Sequence, residues 1–323
     1  MTDFVSIIIP CFNNEHFIEE AIESALNQSY HAVEVIVVDD GSTDSSWQKI
    51  EKYHERIVAR RQTNAGACVA RNKGLSIATG KWIKFLDADD VLNPDCIELQ
   101  IANCHNERVV VFGDCEYIDV NGSAIPKSPN DNSTQLNEGD FAILSSFFST
   151  PILTSTTLFA RSVLTEFKGF NPLVQRGQEH ELNLRLYLNG IDFQYFPQAC
   201  YLYRQHESPE RISISKRRLH FFSYFDNFQW LVSLAENGSR GSIFDSNRLL
   251  LGRLGWKTGR HWLRQHEANI AAQFFTEARR ISDSSSIYGS ALYRRCVQAF
   301  GPNIAERIST FSFALRQGPK DGA

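Results

Sequence analysis

Three carboxylates follow directly after the largely apolar run Trp82–Leu86, and this abrupt change of character limits the folds that the chain can adopt. Aromatic and branched residues in a short run are typical of a strand that is buried in a sheet. Asp87, Asp89 and Asp90 then stand at its carboxyl end, which is where open α/β sheets bind their ligands. The stretch predicts a site for a hard cation and an anionic substrate, although the same acids would also suit a strand-terminating turn.

The segment before this run alternates strands with helices. β-Branched runs over 5–10, 33–38 and 57–61 predict three more strands, and apolar residues at helical spacing predict helices between them. This alternation indicates an α/β fold with a mostly parallel sheet flanked by helices. Asp39 and Asp40 follow the second strand. Because parallel strands end at one edge of a sheet, these two acids should lie near the acids after Leu86.

Beyond residue 90 the pattern is looser. Strands are expected over 109–112, 157–159 and 192–196, and a helix is expected before Gly190. After about Ser215 the composition shifts to basic and aromatic residues, and only helices are expected, including a helical pair over 247–265 and 268–281. Their aromatic stripes fit either a helical core or a surface for a membrane or a partner. The sequence therefore predicts two domains, 1–215 and an all-helical extension, 216–323.

The composition excludes several classes of protein. With 323 residues and 42% hydrophobic content the chain can fill a globular core, and a formal net charge of -4 gives no general attraction to nucleic acid. Its seven cysteines are odd in number and contain no C-x-x-C pair, which argues against a disulfide framework and a thiolate zinc site. The N-terminus lacks the pattern of a signal peptide, and no run has the length of a membrane span. We expect a cytoplasmic protein with reduced thiols.

Four segments together resemble the family 2 glycosyltransferases, which have the GT-A fold. They are Val5–Asn13, Val37–Asp44, Asn64–Gly66 with Ala70–Asn72, and Phe85–Asp90, and they occur in the order and spacing of the family. The resemblance covers residues 4–215. It implies transfer of a sugar from a nucleoside diphosphate donor with inversion at the anomeric carbon, using Mn²⁺ or Mg²⁺. Such a cation would stabilise the charge on the diphosphate leaving group.

The resemblance also implies roles for residues near the donor. Asp89 corresponds to the direct metal ligand, and Asp87 to the residue that contacts the ribose or a metal-bound water. Asp40 corresponds to the acid that binds the nucleobase, and an acid there selects an N–H donor such as that of uracil. The remaining donor-site residues implied by the motifs are Pro10 and Phe12, which form a wall for base and ribose, Asp39, Asn64, and Arg71 near the base or diphosphate.

Two later segments complete the resemblance. Gly177–Leu186 aligns with the segment that carries the general base, which places Glu179 in that role, with His180 and Glu181 as alternatives. Gln178 stands where the family often has a glutamate. Tyr203–His206 resembles the segment that closes over the diphosphate, so that His206 would complete the metal coordination. Shortly after it, and past an insertion, Arg211 and Ser213 would hold phosphate oxygens.

The expected function is an inverting, metal-dependent transfer from a UDP-sugar to a saccharide or lipid-linked glycan acceptor in cell-surface polysaccharide synthesis. The basic and aromatic region 216–230 would hold the protein peripherally at the inner face of the membrane. An alternative is a catalytically inactive module that binds a nucleotide sugar or glycan. Two features favour it: glutamine at 178, where the family often has a glutamate, and the helical extension, which could recruit partners. A nucleotidyltransferase is a weaker alternative, because Cys11–Asn14 contains neither the glycine nor the lysine of a phosphate loop.

Overall fold

A computed structural model describes residues 3–126, 152–174, 177–206, 225–237 and 241–317 of the protein. The chain divides into two compact units, Met1–Arg218 and Leu219–Ala323. The first is an α/β unit and the second is helical throughout its described part. The boundary that the sequence predicts at 215–216 lies outside the described residues.

Four parallel strands form one half of the sheet of the α/β unit. They are β1 (Val5–Cys11), β2 (Val33–Asp39), β3 (Val58–Arg61) and β4 (Trp82–Phe85), in the order β3-β2-β1-β4. Ile8 pairs with Phe85 and Cys11 pairs with Asp39, so the strands end at a common edge. Nearly all residues of β1 and β4 are buried, as their largely apolar character predicts, and the burial includes Ser6 and Lys84. The predicted gathering of strand ends is therefore confirmed.

The other half of the sheet is mixed. Its strands are β5 (Val91–Leu92), β6 (Val109–Ile118), β8 (Thr157–Ala160) and β9 (Asp192–Arg204), and β7 (Ala124–Ile125) pairs with the end of β6. From β4 the sheet continues in the order β4-β8-β6-β9-β5. Strand β8 is antiparallel to both β4 and β6, β9 is parallel to β6, and β5 is antiparallel to β9. The short strands β5 and β7 have no counterpart in the sequence prediction.

Strand β9 is longer than the sequence indicates. The apolar pattern suggests an end at Phe196, since proline at 197 removes a hydrogen-bond donor. In the structure the register against β6 shifts between Phe112 and Cys115, and this bulge allows β9 to continue to Arg204. The extension carries Arg204 and His206 to the acids that follow β4.

The described part of the α/β unit contains six helices: α1 (Ile18–Leu26), α2 (Ser46–Glu51), α3 (Ala67–Ile77), α4 (Cys96–Ala102), α5 (Arg161–Glu166) and α6 (Gln178–Leu188). Helix α3 packs closely on β1, because Gly74 has no side chain there. A Cβ at this position would lie 2.3 Å from Cγ2 of Ile8. Helix α6 ends as expected before Gly190, whose positive φ lets the backbone of Ile191 hydrogen-bond back to Leu186.

The helical unit contains α7 (Phe225–Asn237), α8 (Gly241–Arg264), α9 (Ala268–Ser282) and α10 (Ala291–Gln317), which is interrupted at Gly301. The helical pair predicted from the sequence corresponds to α8 and α9. A cluster of buried side chains around Trp256, Phe275 and Tyr293 joins α8, α9 and α10. No helix in the described part of the chain is both long and apolar enough to cross a membrane.

Candidate active site at the carboxyl edge of the sheet

The loops after β1 and β2 are tied to each other. Ser42 Oγ accepts a hydrogen bond from the backbone N–H of Asn13 at 3.0 Å, and Ser46 Oγ accepts one from that of Asn14 at 2.8 Å. Asn13 Oδ1 in turn accepts a hydrogen bond from the backbone N–H of Thr43 at 2.8 Å. Pro10 and Phe12, the predicted wall for base and ribose, are half-buried at this edge. These hydrogen bonds fix the two loops relative to each other.

Asp40 holds the loop between β3 and α3. Its Oδ1 accepts hydrogen bonds from Gln62 Nε2 at 2.8 Å and from the backbone N–H of Ala65 at 2.9 Å. Its Oδ2 accepts one from the backbone N–H of Gly66 at 2.8 Å. Asn64, in the middle of this loop, is exposed. The predicted nucleobase acid is thus buried and also shapes the loop beside it.

Asp39 lies deeper than Asp40, and its side chain is fully buried. Its Oδ2 lies 3.0 Å from Nε of Arg61 and accepts a weaker hydrogen bond from the backbone N–H of Ser42 at 3.3 Å. Its Oδ1 has no hydrogen-bond partner within the described part of the chain. The observed contacts of Asp39 therefore fix the β2 turn, and its expected contact with the nucleotide stays a prediction.

Arg71 joins the end of β4 to the start of α6. From helix α3 its Nη2 donates to Asp87 Oδ1 at 2.7 Å, and its Nη1 donates to Gln178 Oε1 at 2.7 Å. The guanidinium is buried and lies over the ring of Phe170, 5.1 Å from its centroid. Burial, together with the charges of Asp89 and Glu179, raises the pKa of Asp87 although the Arg71 cation lowers it. Gln178, where the family often has an acid, thus supplies an uncharged acceptor to a buried cation.

Glu179 follows Gln178 in the first turn of α6, and 26% of its side chain is exposed. Its Oε1 lies 3.4 Å from Nδ1 of His180. Burial would raise the pKa of Glu179, but the His180 ring and the Arg71 cation lower it below the usual range. The carboxylate is therefore ionised at neutral pH and reachable from solvent, which are the properties that a general base needs.

Glu181, the alternative base, is committed to another contact. Its two oxygens pair with Arg185, at 2.7 Å to Nε and 3.0 Å to Nη2, and only 3% of its side chain is exposed. Arg185 also donates to the carbonyl oxygens of Phe167 and Gly169. This bidentate pair ties α6 to the segment after α5, so Glu181 has a structural partner that Glu179 lacks.

Asp89 meets His206, which arrives from the end of β9. His206 Nε2 and Asp89 Oδ2 lie 2.9 Å apart. The buried side chain of Arg204 holds this turn in place, because its Nε donates to the carbonyl oxygen of Asp89 at 3.0 Å and its Nη2 donates to Glu20 at 2.5 Å. Asp90 accepts the backbone N–H of Arg204 at 3.0 Å. The resemblance of Tyr203–His206 to the family segment gives no role to Arg204, which the structure shows as the residue that holds this turn.

The three predicted metal ligands do not surround one point in this structure. Asp87 turns to Arg71 and Asp89 turns to His206, and within the described ranges no three acidic, histidine or cysteine side chains form a metal-binding group. The two aspartates still offer carboxylate oxygens at one turn, which suits a cation that takes one or two protein carboxylates and completes its shell with phosphate oxygens. Arg211 and Ser213 lie outside the described residues.

Comparison with known proteins assigns the family. Residues 6–163 match the family described as Glycosyl transferase family 2. The putative teichuronic acid biosynthesis glycosyltransferase TuaG of Bacillus subtilis is 45% identical over 101 residues, which cover 30% of this chain and 40% of TuaG. The chain spans between 34% and 50% of the length of three curated relatives, TuaG among them.

Solved structures show the fold. S. aureus TarS 1–349 in complex with UDP-GlcNAc has a TM-score of 0.69 and 20% identity, over 98% of this chain and 92% of TarS 1–349. The mannosyltransferase PcManGT from Pyrobaculum calidifontis in complex with GDP-Man and Mn²⁺ has a TM-score of 0.50 and 17% identity, over 96% of this chain and 84% of PcManGT. The segment 6–163 therefore belongs to glycosyltransferase family 2, and the α/β unit that contains it has the GT-A fold.

Proposed function

We propose that the protein transfers a sugar from a UDP-sugar to a hydroxyl group of a saccharide or lipid-linked glycan, with inversion at the anomeric carbon. The observation that carries the proposal is the Arg71 link, which holds the turn of Asp87 and Asp89 next to the helix turn of Glu179. The acids that we propose to bind the donor thus lie at the same edge of the sheet as a solvent-reachable carboxylate. UDP-GlcNAc in TarS supports the choice of a UDP-sugar.

In the proposed reaction Glu179 acts as the general base. Its carboxylate accepts the proton of the acceptor hydroxyl while the hydroxyl oxygen forms a bond to the anomeric carbon. The bond from that carbon to the diphosphate oxygen breaks on the opposite face, and UDP leaves with the electron pair. Attack from the face opposite to the leaving group gives inversion. The lowered pKa of Glu179 keeps its carboxylate ionised. Because Glu181 is paired with Arg185, Glu179 is the carboxylate of this helix turn that can accept the proton.

Asp89 and Asp87 would hold Mn²⁺ or Mg²⁺, with His206 beside Asp89. When bound, the cation stabilises negative charge on the departing diphosphate. The oxygen donors fit such a cation, and the presence of Mn²⁺ with GDP-Man in PcManGT supports its use. Arg71 keeps Asp87 oriented through the 2.7 Å contact. Arg211 and Ser213 are proposed to bind phosphate oxygens.

The nucleoside would lie against Pro10 and Phe12. Asp40 Oδ2 accepts one hydrogen bond, from the backbone of Gly66, and keeps a lone pair for the N–H of uracil. Asn64, exposed on the loop that Asp40 holds, would border the nucleobase. The name of TuaG supports an acceptor in cell-surface polysaccharide synthesis. For a lipid-linked acceptor the protein would work peripherally at the inner face of the membrane.

The test combines turnover with binding. Purified protein is incubated with UDP-sugars, Mn²⁺ and candidate acceptors, and UDP release is measured together with UDP affinity by calorimetry. Asp89→Ala should lose turnover and metal-dependent UDP binding, whereas Glu179→Gln should lose turnover and keep UDP binding. Glu55→Gln removes an exposed acid just before β3, at the end of that strand opposite the candidate site, and should behave like the unmodified protein. Full turnover by Asp89→Ala would disprove the metal assignment, and UDP binding without any turnover would favour the inactive binding module.

A further inference from the structure

The helical unit contains a cavity of about 340 Å³ that the proposed transfer reaction does not use. Three parts of this unit line it: Arg253 from α8, residues 287–290 from the connection that precedes α10, and Arg294 from α10. The lining residues are four polar or charged side chains, one glycine and the apolar Ile287. The cavity is therefore formed by the packing of helices that are distant in sequence.

The connection that forms the cavity wall is held rigidly. Arg260 Nη1 donates to the carbonyl oxygen of Tyr288 at 3.1 Å, and Arg260 Nε donates to the buried Glu306 at 2.6 Å. The Arg260 guanidinium lies 3.9 Å from the centroid of the Tyr293 ring. A Cβ on Gly289 would lie 2.5 Å from that ring, so this position needs glycine. The wall is thus shaped before any ligand arrives, which reduces the cost of ordering on binding.

The charge of the cavity is positive. Arg294 Nη1 donates to the carbonyl oxygen of Gly289 at 2.8 Å, which leaves its other N–H groups available. Arg253 has neither a hydrogen bond nor an ion pair with any residue of the described ranges, and none of the described residues that line the cavity is an acid. The buried acid of this unit, Glu306, pairs with Arg260 and Arg264 instead. Two guanidinium groups therefore face one space without a carboxylate between them.

These features define the class of ligand. Guanidinium groups bind phosphate oxygens through paired N–H donors, and the hydroxyl groups of Ser290 and Tyr288 can add neutral hydrogen bonds. The volume lies within the range of small-molecule sites, and Ile287 offers an apolar wall for the part of a ligand that carries the phosphate. We propose that this cavity binds the phosphate group of an organic phosphate ester, either a soluble one or the headgroup of an anionic phospholipid.

The test uses the full chain at low ionic strength, because both arginines are exposed and salt screens exposed charges. Glycerol 3-phosphate is the soluble probe, and vesicles of phosphatidylcholine with or without phosphatidylglycerol are the lipid probe. The double variant Arg253→Gln/Arg294→Gln should weaken binding by roughly tenfold or more, since two charge-assisted contacts are lost. Its matched control is Arg60→Gln/Arg295→Gln, which removes the same charge from exposed arginines that do not line the cavity.

Each outcome bears on the proposal. If the double variant loses affinity mainly for glycerol 3-phosphate, the ligand is a soluble ester. If it loses affinity mainly for vesicles that contain phosphatidylglycerol, the ligand is the lipid headgroup. Equal losses in the control pair, or no binding of either probe, would overturn the proposal. Competition between UDP and glycerol 3-phosphate would also overturn it, because the probe would then occupy the donor site. The single variant Arg253→Gln, on the surface of α8, provides the same comparison if the double variant does not fold.

Discussion

Arg71 is a buried cation whose two terminal nitrogens serve different partners. Asp87 balances its charge, whereas Gln178 supplies only an acceptor oxygen. A second carboxylate at 178 would place three acids, Asp87, residue 178 and Glu179, around one guanidinium. Like charges in a partly buried site raise the pKa of the acids concerned. The neutral glutamine therefore helps Glu179 to remain ionised, and the departure from the family pattern is compatible with a working base.

Replacing Gln178 with leucine should show what this acceptor contributes. Leucine has a similar volume but leaves Nη1 of Arg71 without its partner, and a buried donor without an acceptor costs about 1–3 kcal/mol. The free energy of unfolding, measured by urea denaturation of the full chain, should fall by that amount. Gln178→Glu keeps an acceptor oxygen and should lose less. Equal stability of Gln178→Leu and the unmodified protein would mean that Arg71 does not depend on this contact.

Asp40 offers a second test at the level of one side chain. In Asp40→Asn an amide NH₂ replaces one of the two oxygens that accept from Gln62, Ala65 and Gly66. The loop should open more often, and a local loss of about 1–3 kcal/mol would speed amide exchange at Ala65 and Gly66 by roughly ten- to a hundredfold. Hydrogen exchange followed by mass spectrometry measures this rate.

Asp44→Asn is the matched control for that change. Asp44 accepts hydrogen bonds from the backbone of Glu15 and Ser46, in the loops after β1 and β2. It should therefore leave exchange at Ala65 and Gly66 unchanged. If both variants accelerate exchange equally, the β3–α3 loop responds to general destabilisation and not to Asp40.

At the scale of elements, the first turn of α6 places two acids in different surroundings. Glu181 points to Arg185 in a pair that is nearly inaccessible to water, whereas Glu179 keeps part of its carboxylate exposed. Glu181→Gln should cost about 3 kcal/mol of unfolding free energy, because removal of one partner leaves a buried charge without compensation. Glu179→Gln should cost less than about 1 kcal/mol, as is usual for substitutions outside buried networks. Thermal unfolding monitored by circular dichroism compares the two variants, and a reversed order would contradict the division of roles.

The edge of the sheet could be predicted from sequence, whereas most partners in the site could not. Asp40 and Asp87 follow apolar runs, and parallel strands necessarily end together, so a local pattern was sufficient. The contact between Arg71 and Gln178 joins residues 107 positions apart, and that between Asp89 and His206 spans 117 positions. Which donor meets which acceptor depends on how α3, α6 and β9 pack, and no local periodicity carries that information.

The same limit applies to the length of β9. Its alternating pattern stops at Pro197, and only the bulge against β6 lets the strand resume. The extra residues lie in β9, where three residues between Tyr195 and Ala199 oppose one residue of β6, and no local pattern marks them. The extension to Arg204 is nevertheless what fixes the turn of Asp89, so an element that local patterning underestimates positions part of the candidate site.

At the scale of the whole molecule, charge is unevenly distributed between the two units. The chain has 33 basic and 37 acidic residues, but between residues 225 and 317 the sequence has 12 basic and 7 acidic ones. Within this basic region, Glu306 is buried and bonded to both Arg260 and Arg264. Loss of its charge would leave two arginines near a neutral carboxyl group in a unit that already has excess positive charge. The helical unit should therefore be sensitive to acid.

The direction of this sensitivity follows from the pKa of Glu306. Burial would raise it, but the hydrogen bonds and charges of Arg260 and Arg264 lower it below the usual 4.5. The unfolded chain thus binds a proton more readily than the folded one as the pH falls, so the stabilisation is present above about pH 4.5 and is lost below it. Calorimetry of the full chain between pH 7 and pH 3 should show one transition moving to lower temperature. In Glu306→Gln the same transition should start lower at pH 7 and depend less on pH, and an unchanged pH dependence would show that other carboxylates cause the acid sensitivity.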